Sequence, residues 1–164
     1  MKRLALLFAL CPLLLSAQVQ WKVSLADKGK GEVELVATAM IDDGWHLYDV
    51  NIPDGGPNAT TLSIDELKGA EKVGPFRGVD SHLHKEFDAM FDMEIGYYED
   101  KASFAQRFKV TDRAAFRLRG DIRAQACNDT QCTPPLPVDF DLSAKDLPAT
   151  VIPQTDKTAA APAP

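Results

Sequence analysis

From residue 19 onward, apolar and polar positions alternate one by one, the period of a strand with one buried face. Val19, Trp21, Val23 and Leu25 share a face. So do Val33, Leu35, Ala37, Ala39 and Ile41, with Glu32, Glu34 and Thr38 opposite. Phe104, Phe108 and Val110 fall on one side of residues 103–110. Along 115–126, Phe116, Leu118, Ile122, Ala124 and Ala126 point one way, while Arg117, Arg119, Asp121, Arg123 and Gln125 point the other. Val138, Phe140 and Leu142 give a last short strand. Turn formers separate these runs at Asp27–Gly31, Asp42–Gly44, Pro53–Pro57 and Thr111–Arg113. No long stretch carries a helical stripe. The pattern predicts an all-β chain folded as an immunoglobulin-like antiparallel β-sandwich.

Both ends of the 164-residue chain depart from this pattern. Lys2 and Arg3 precede an apolar run, Leu4 to Leu15, and small residues follow at Ser16-Ala17. This order predicts residues 1–17 to be a secretory signal cleaved near Ala17. A lipoprotein reading would use Cys11 instead, but large Leu10 precedes it and the apolar run before it is short. Residues 18–142 would form the sandwich. Residues 143–164, rich in Pro, Ala and Thr, are expected to be an extended tail or linker.

Cleavage changes the charge. The formal net charge of −6 loses the two positive charges of Lys2 and Arg3 and becomes −8. An acidic domain without a basic stripe is a poor partner for nucleic acid or anionic lipid. Of three cysteines, two then remain, Cys127 and Cys132, and an exported chain offers them an oxidising compartment.

That pair lies in ACNDTQCTPP, between the strands 115–126 and 137–142, in a hairpin-like connection. If the alternation continues, Cys127 falls on the polar face with Arg123 and Gln125, and both sulfurs should be accessible at an edge or end of the sandwich. A bulge at Gly120 would shift that register. A bond closing about six residues stabilises by roughly 2 kcal/mol through chain entropy, against nearly 5 for a ring of about 100. Such a local bond is a weak staple, and an exposed one is more readily exchanged. The spacing is not Cys-x-x-Cys, and no helix start follows to lower a thiol pKa. Spacing alone therefore leaves both a turn-pinning disulfide and a redox pair open.

Three motifs in order resolve this further. CNDTQCTPP followed by PVDFDL, Asp43-Gly-Trp-His-Leu-Tyr48 followed by the Pro- and Gly-rich 53–57, and FDAMFDMEIGYYEDKASFAQRF together resemble the N-terminal periplasmic domain of the DsbD thiol:disulfide interchange family. The resemblance covers most of residues 19–142. It implies an immunoglobulin-like fold, a periplasmic location, no metal or organic cofactor, and an electron relay. A thioredoxin-like domain fed by a membrane electron-transfer portion would be the donor. Disulfide isomerases or cytochrome c maturation thioredoxins would be the acceptors. By the resemblance Cys127 and Cys132 are the redox pair, Cys132 the attacking sulfur and Cys127 the resolving one. Phe91, or Phe87 if the loop aligns differently, matches an aromatic cap; Tyr48 lines the pair. His46 stands where better-known members often carry a tyrosine, and Asp88 and Asp92 lie near acidic positions that would raise a thiol pKa. This sequence has one residue fewer between its cysteines than those members, and its 164 residues do not include their membrane portion, as expected either of a stand-alone exported version or of the N-terminal part of a longer chain.

Two other classes are kept beside the relay. One is a non-redox immunoglobulin-like interaction module whose disulfide only holds a loop. The other is an exported metal-binding protein using His82, His84, His46 and the cysteines.

Overall fold

The computed structural model describes residues 18–89 and 91–152, so the expected signal segment and Cys11 lie outside the described residues. The described residues form strands only: β1 (Val19–Gly29), β2 (Glu32–Ile41), β3 (His46–Tyr48), β4 (Thr61–Lys68), β5 (Ala70–Gly78), β6 (His84–Asp88), β7 (Met93–Tyr98), β8 (Lys101–Val110), β9 (Arg117–Arg123), β10 (Ala126–Cys127) and β11 (Pro137–Ser143). Their pairings are antiparallel and make three sheets, β1-β2-β8-β5, β10-β3-β7-β6 and β11-β9-β4.

Core packing stacks these sheets into two layers. Val33, Leu35, Ala37, Phe108 and Val110 of the first sheet pack with Leu118, Ile122 and Phe140 of the third. Farther along the same strands, Ala39, Ile41, Ala102 and Phe104 pack with Leu47 and Tyr98 of the second. The second and third sheets thus cover neighbouring parts of one face of the first, and together they complete a β-sandwich. The apolar positions read from the alternation are the ones that fill this core, because period two sends them all to one side of each strand.

Three local departures have physical reasons. Glu34, expected on a polar face, is buried at 6% exposure. Arg77 donates a 2.6 Å hydrogen bond to it and Lys28 lies 3.4 Å away, which offsets the cost of removing the carboxylate from water. Burial alone would raise its pKa, but those two cations outweigh it and hold the carboxyl below its ordinary range. The expected strand 115–126 is also interrupted. β9 ends at Arg123, and residues 124–125 carry the chain from the third sheet into the second, where β10 pairs with β3. Finally, the sandwich does not stop at Leu142. Leu147 and Val151 are buried in the main cluster, so the tail expected from 143 packs as far as Val151, and residues 153–164 lie outside the described ones.

Close backbone approach explains one central glycine. A Cβ on Gly120 would lie 2.0 Å from the Ser63 carbonyl oxygen, where the β4–β9 register shifts between Ile64 and Glu66. Only a residue without a side chain admits that bulge. Gly120 shapes the third sheet, whereas the change of course that positions the cysteines comes later, at 124–125.

Candidate active site

Cys127 and Cys132 are joined in a disulfide with Cα atoms 4.0 Å apart, and they also form an isolated antiparallel bridge. The turn between them is a hydrogen-bonded structure of its own. Asn128 Oδ1 accepts from the Thr130 and Gln131 amides, each at 2.9 Å, and from the Thr130 hydroxyl at 3.0 Å. The Asn128 amide donates to the Gln131 carbonyl at 2.9 Å. Outside the cysteines, the Thr133 amide donates to the Ala126 carbonyl at 2.7 Å, and the Ala126 amide donates to the Thr133 hydroxyl. Asn and Thr suit such a turn because their short side chains satisfy backbone groups directly. The sulfur–sulfur bond is therefore one of several links closing this hairpin.

The pair straddles the surface. Cys127 is 2% exposed, whereas Cys132 is exposed. β10 pairs with β3 so that Ala126 faces Leu47 and Cys127 faces His46. Leu47 points into the sandwich core. Cys127 therefore lies on the opposite side of the sheet, as the alternation predicts, but that side is not bare to solvent. A second, small apolar cluster of Tyr48, Ile95 and Cys127 sits there, with Ile52, Phe91, Met93 and Tyr97 packed on it. This corrects the expectation that both sulfurs are accessible: only the Cys132 side is.

Beside the cluster is a recess of about 240 Å³ lined by His46, Tyr48, Glu86, Asp88, Tyr97 and Asp129 among others, with no lysine or arginine. His46 Nε2 lies 3.2 Å from the Tyr48 hydroxyl, and its ring packs edge-on to Tyr48 and tilted against Tyr97. Burial pushes the imidazole pKa below its usual 6.5, opposed by the charges of Glu99, Asp129 and Asp88. Burial raises the Tyr48 phenol, and Asp88 adds to that. On the other side of the hairpin lies an apolar groove of about 150 Å³ lined by Val19, Trp21, Ala126, Pro134, Leu136 and Pro137, among others. Leu136 is 66% exposed. The cysteine hairpin thus stands between an acidic recess and an apolar groove.

Five of the residues that the resemblance singled out, Cys127, Cys132, Tyr48, His46 and Phe91, come together here. Phe91 is half-buried against the Cys127 cluster, with its amide 3.3 Å from Asp88 Oδ1, while Phe87 is 66% exposed. Asp88 lines the recess. Asp92 instead occupies an exposed turn with φ of 54° and is not among the lining residues. Among the described residues no group of three His, Cys, Asp or Glu side chains is placed to hold a metal ion. His82 bonds to Asp80, and His84 stacks on Tyr97. The sequence reading passed over Ile95, Tyr97, Asn128 and Thr133. The alternation of Met93, Ile95 and Tyr97, with β7 pairing to β3, was the available signal for the first two.

Comparison with known proteins agrees with this geometry. Residues 12–144 match the family described as the N-terminal part of thiol:disulfide interchange protein DsbD. No curated protein sequence matches the chain. Among solved structures, it is similar to the Neisseria meningitidis DsbD N-terminal domain in the reduced form, at 18% identity and a TM-score of 0.54, over 77% of this chain and 85% of that one. That likeness supports the immunoglobulin-like fold. The N-terminal periplasmic domain of ScsB from Proteus mirabilis gives 15% identity and a TM-score of 0.49, over 78% of this chain and 46% of that one. The disulfide hairpin, the sandwich and the matched span agree: this chain belongs to the DsbD N-terminal domain family.

Proposed function

We propose that the protein is a periplasmic thiol:disulfide exchange domain that relays reducing equivalents to disulfide-bearing partners through Cys127 and Cys132. The observation that carries this reading is the unequal burial of the two sulfur-bearing residues, Cys132 outward and Cys127 inward. A partner can reach only the outer one. In the reduced domain, the Cys132 thiolate attacks a partner disulfide sulfur. A mixed disulfide forms and one partner thiolate leaves. Cys127, as thiolate, then attacks Cys132 Sγ, which closes the domain disulfide and releases the second partner thiolate. Two electrons pass to the partner, and both partner sulfurs take up protons. A thioredoxin-like donor, itself supplied by a membrane electron-transfer protein, would restore the dithiol by the reverse steps. The partner kinds, a disulfide isomerase or a cytochrome c maturation thioredoxin, come from the family resemblance.

Two features support exchange over a purely structural bond. The hairpin carries its own hydrogen bonds, so opening the disulfide need not unfold it. Its apolar and acidic flanks would offer a docking partner contact on both sides of the outer sulfur.

The test is the redox equilibrium of the protein against a glutathione or dithiothreitol series, with maleimide trapping and circular dichroism. A midpoint in the range of exchange proteins, with the β signal retained on reduction, is expected. A pair that opens only under strongly reducing conditions and loosens the fold would make the bond a staple.

A further inference from the structure

The exchange reading leaves a proton unaccounted for. Before Cys127 can attack Cys132 Sγ, its thiol must lose a proton, and at 2% exposure it cannot pass that proton freely to bulk water. The residue directly opposite it on the neighbouring strand is His46. Opposed residues of an antiparallel pair project to the same side with Cβ atoms about 4.5–5.5 Å apart. His46 also lines the solvent-connected recess, so a proton placed on its ring has a way out.

We propose that His46 is the proton acceptor for Cys127 in the resolving step. This rests on the exchange reading. The Cys127 S–H bond breaks and the imidazole takes the proton. The sulfur forms its bond to Cys132 Sγ, and the bond between Cys132 and the partner sulfur breaks. The partner leaves as a thiolate, and the imidazolium gives up its proton through the recess. When a donor reduces the domain, the imidazolium protonates Cys127 as it leaves.

The surroundings keep the ring oriented and suited to this task. On its own strand Tyr48 holds Nε2, and Tyr97 of β7 packs against the ring. The charged groups facing it are Glu99 after β7, Asp129 of the cysteine hairpin, and Glu86 and Asp88 of β6, all lining the recess. Burial keeps the imidazole neutral near pH 7, as an acceptor must be, while Glu99, Asp129 and Asp88 favour the cation formed in the step. Tyr48, with its phenol pKa raised, remains protonated and cannot serve as the base.

The experiment follows reduced protein mixed with oxidised glutathione, acid-quenched and resolved by mass spectrometry. Formation and decay of the glutathione adduct are timed separately, from pH 5 to 8. In the wild type, adduct decay should slow as pH falls through the imidazole ionisation. His46→Gln, and independently His46→Asn, should lose that inflection and resolve the adduct on the order of a hundredfold more slowly at pH 7. Adduct formation at Cys132 should change little and serves as the folding control. Equal decay rates and equal pH profiles in wild type and variants would overturn the assignment while leaving exchange intact. A wild type that forms no adduct would overturn the exchange reading itself, and this inference with it.

Discussion

The Tyr98 hydroxyl donates a 3.1 Å hydrogen bond to the buried carboxylate of Asp49, joining β7 to the segment that follows β3. Both residues are at most 5% exposed, and Gly78 leaves the space, since a Cβ there would lie 2.2 Å from the hydroxyl. Burial raises the phenol pKa, and the Asp49 charge raises it further, so the tyrosine stays protonated and able to donate. Tyr98→Phe would leave the carboxylate, among the described residues, with the longer Asn51 contact at 3.4 Å. The expected cost is about 1–3 kcal/mol, read as a lowered urea midpoint at unchanged slope.

Phe91 packs on the cluster containing Cys127, and Phe87 faces solvent. Phe91→Ala should speed reduction of the disulfide by dithiothreitol, on the order of tenfold, about 1.4 kcal/mol of barrier. Phe87→Ala should not. Stopped-flow reduction of the two variants separates them; equal rates would remove Phe91 from the shielding role.

His46 gives a pH signature in stability. Its folded pKa is depressed by burial below the ordinary 6.5, so the unfolded chain binds a proton more readily. The associated stability is complete above the unfolded value and is lost as pH falls through the folded one. A proton NMR titration should place the His46 midpoint below 6.5, and His46→Gln should flatten the fall in urea midpoint over that window.

Arg113 ties down the segment after β11. It donates to the carbonyls of Leu147, Pro148 and Val151 at 3.2, 2.9 and 3.0 Å. Arg113→Ala should cost about 1.5–3 kcal/mol, as expected for loss of a charged donor. Hydrogen exchange should accelerate at the Val151 amide, which bonds to the Pro148 carbonyl, before it does in the sheets.

Much of the sandwich was legible because every second residue is buried where a strand covers the main core, even though Glu34 and Ala105 on the opposite face are buried as well. Val33 to Ile41 and Phe104 to Val110 show it plainly. β4 and β5 escaped notice. Their inward residues are only half-buried, and register shifts between Ile64 and Glu66 and between Val73 and Arg77 break the alternation. The packed segment around Leu147 and Val151 was equally hidden, since two apolar residues among Pro and Ala carry no period. At the site, the alternation assigned Cys127 to the correct side of its strand. What it could not show is that β7 and the 88–93 turn build a second apolar cluster over that side. That cluster depends on contacts between residues far apart in the chain, such as Ile95 and Cys127, 32 positions apart.

The clamp made by Arg113 also sets where anything joined downstream must depart. Thr150 hydrogen-bonds Asp27, near the end of β1, whereas Val19 at the start of that strand lines the groove beside the cysteine hairpin. Eight residue steps along the strand separate Val19 from Asp27, about 26 Å at roughly 3.3 Å each. A leash attached after Val151 would therefore hold the molecule by its back, leaving the Cys132 pole to sweep freely through the surrounding volume. A bulky fusion ahead of Gln18, by contrast, would emerge in the approach lane itself.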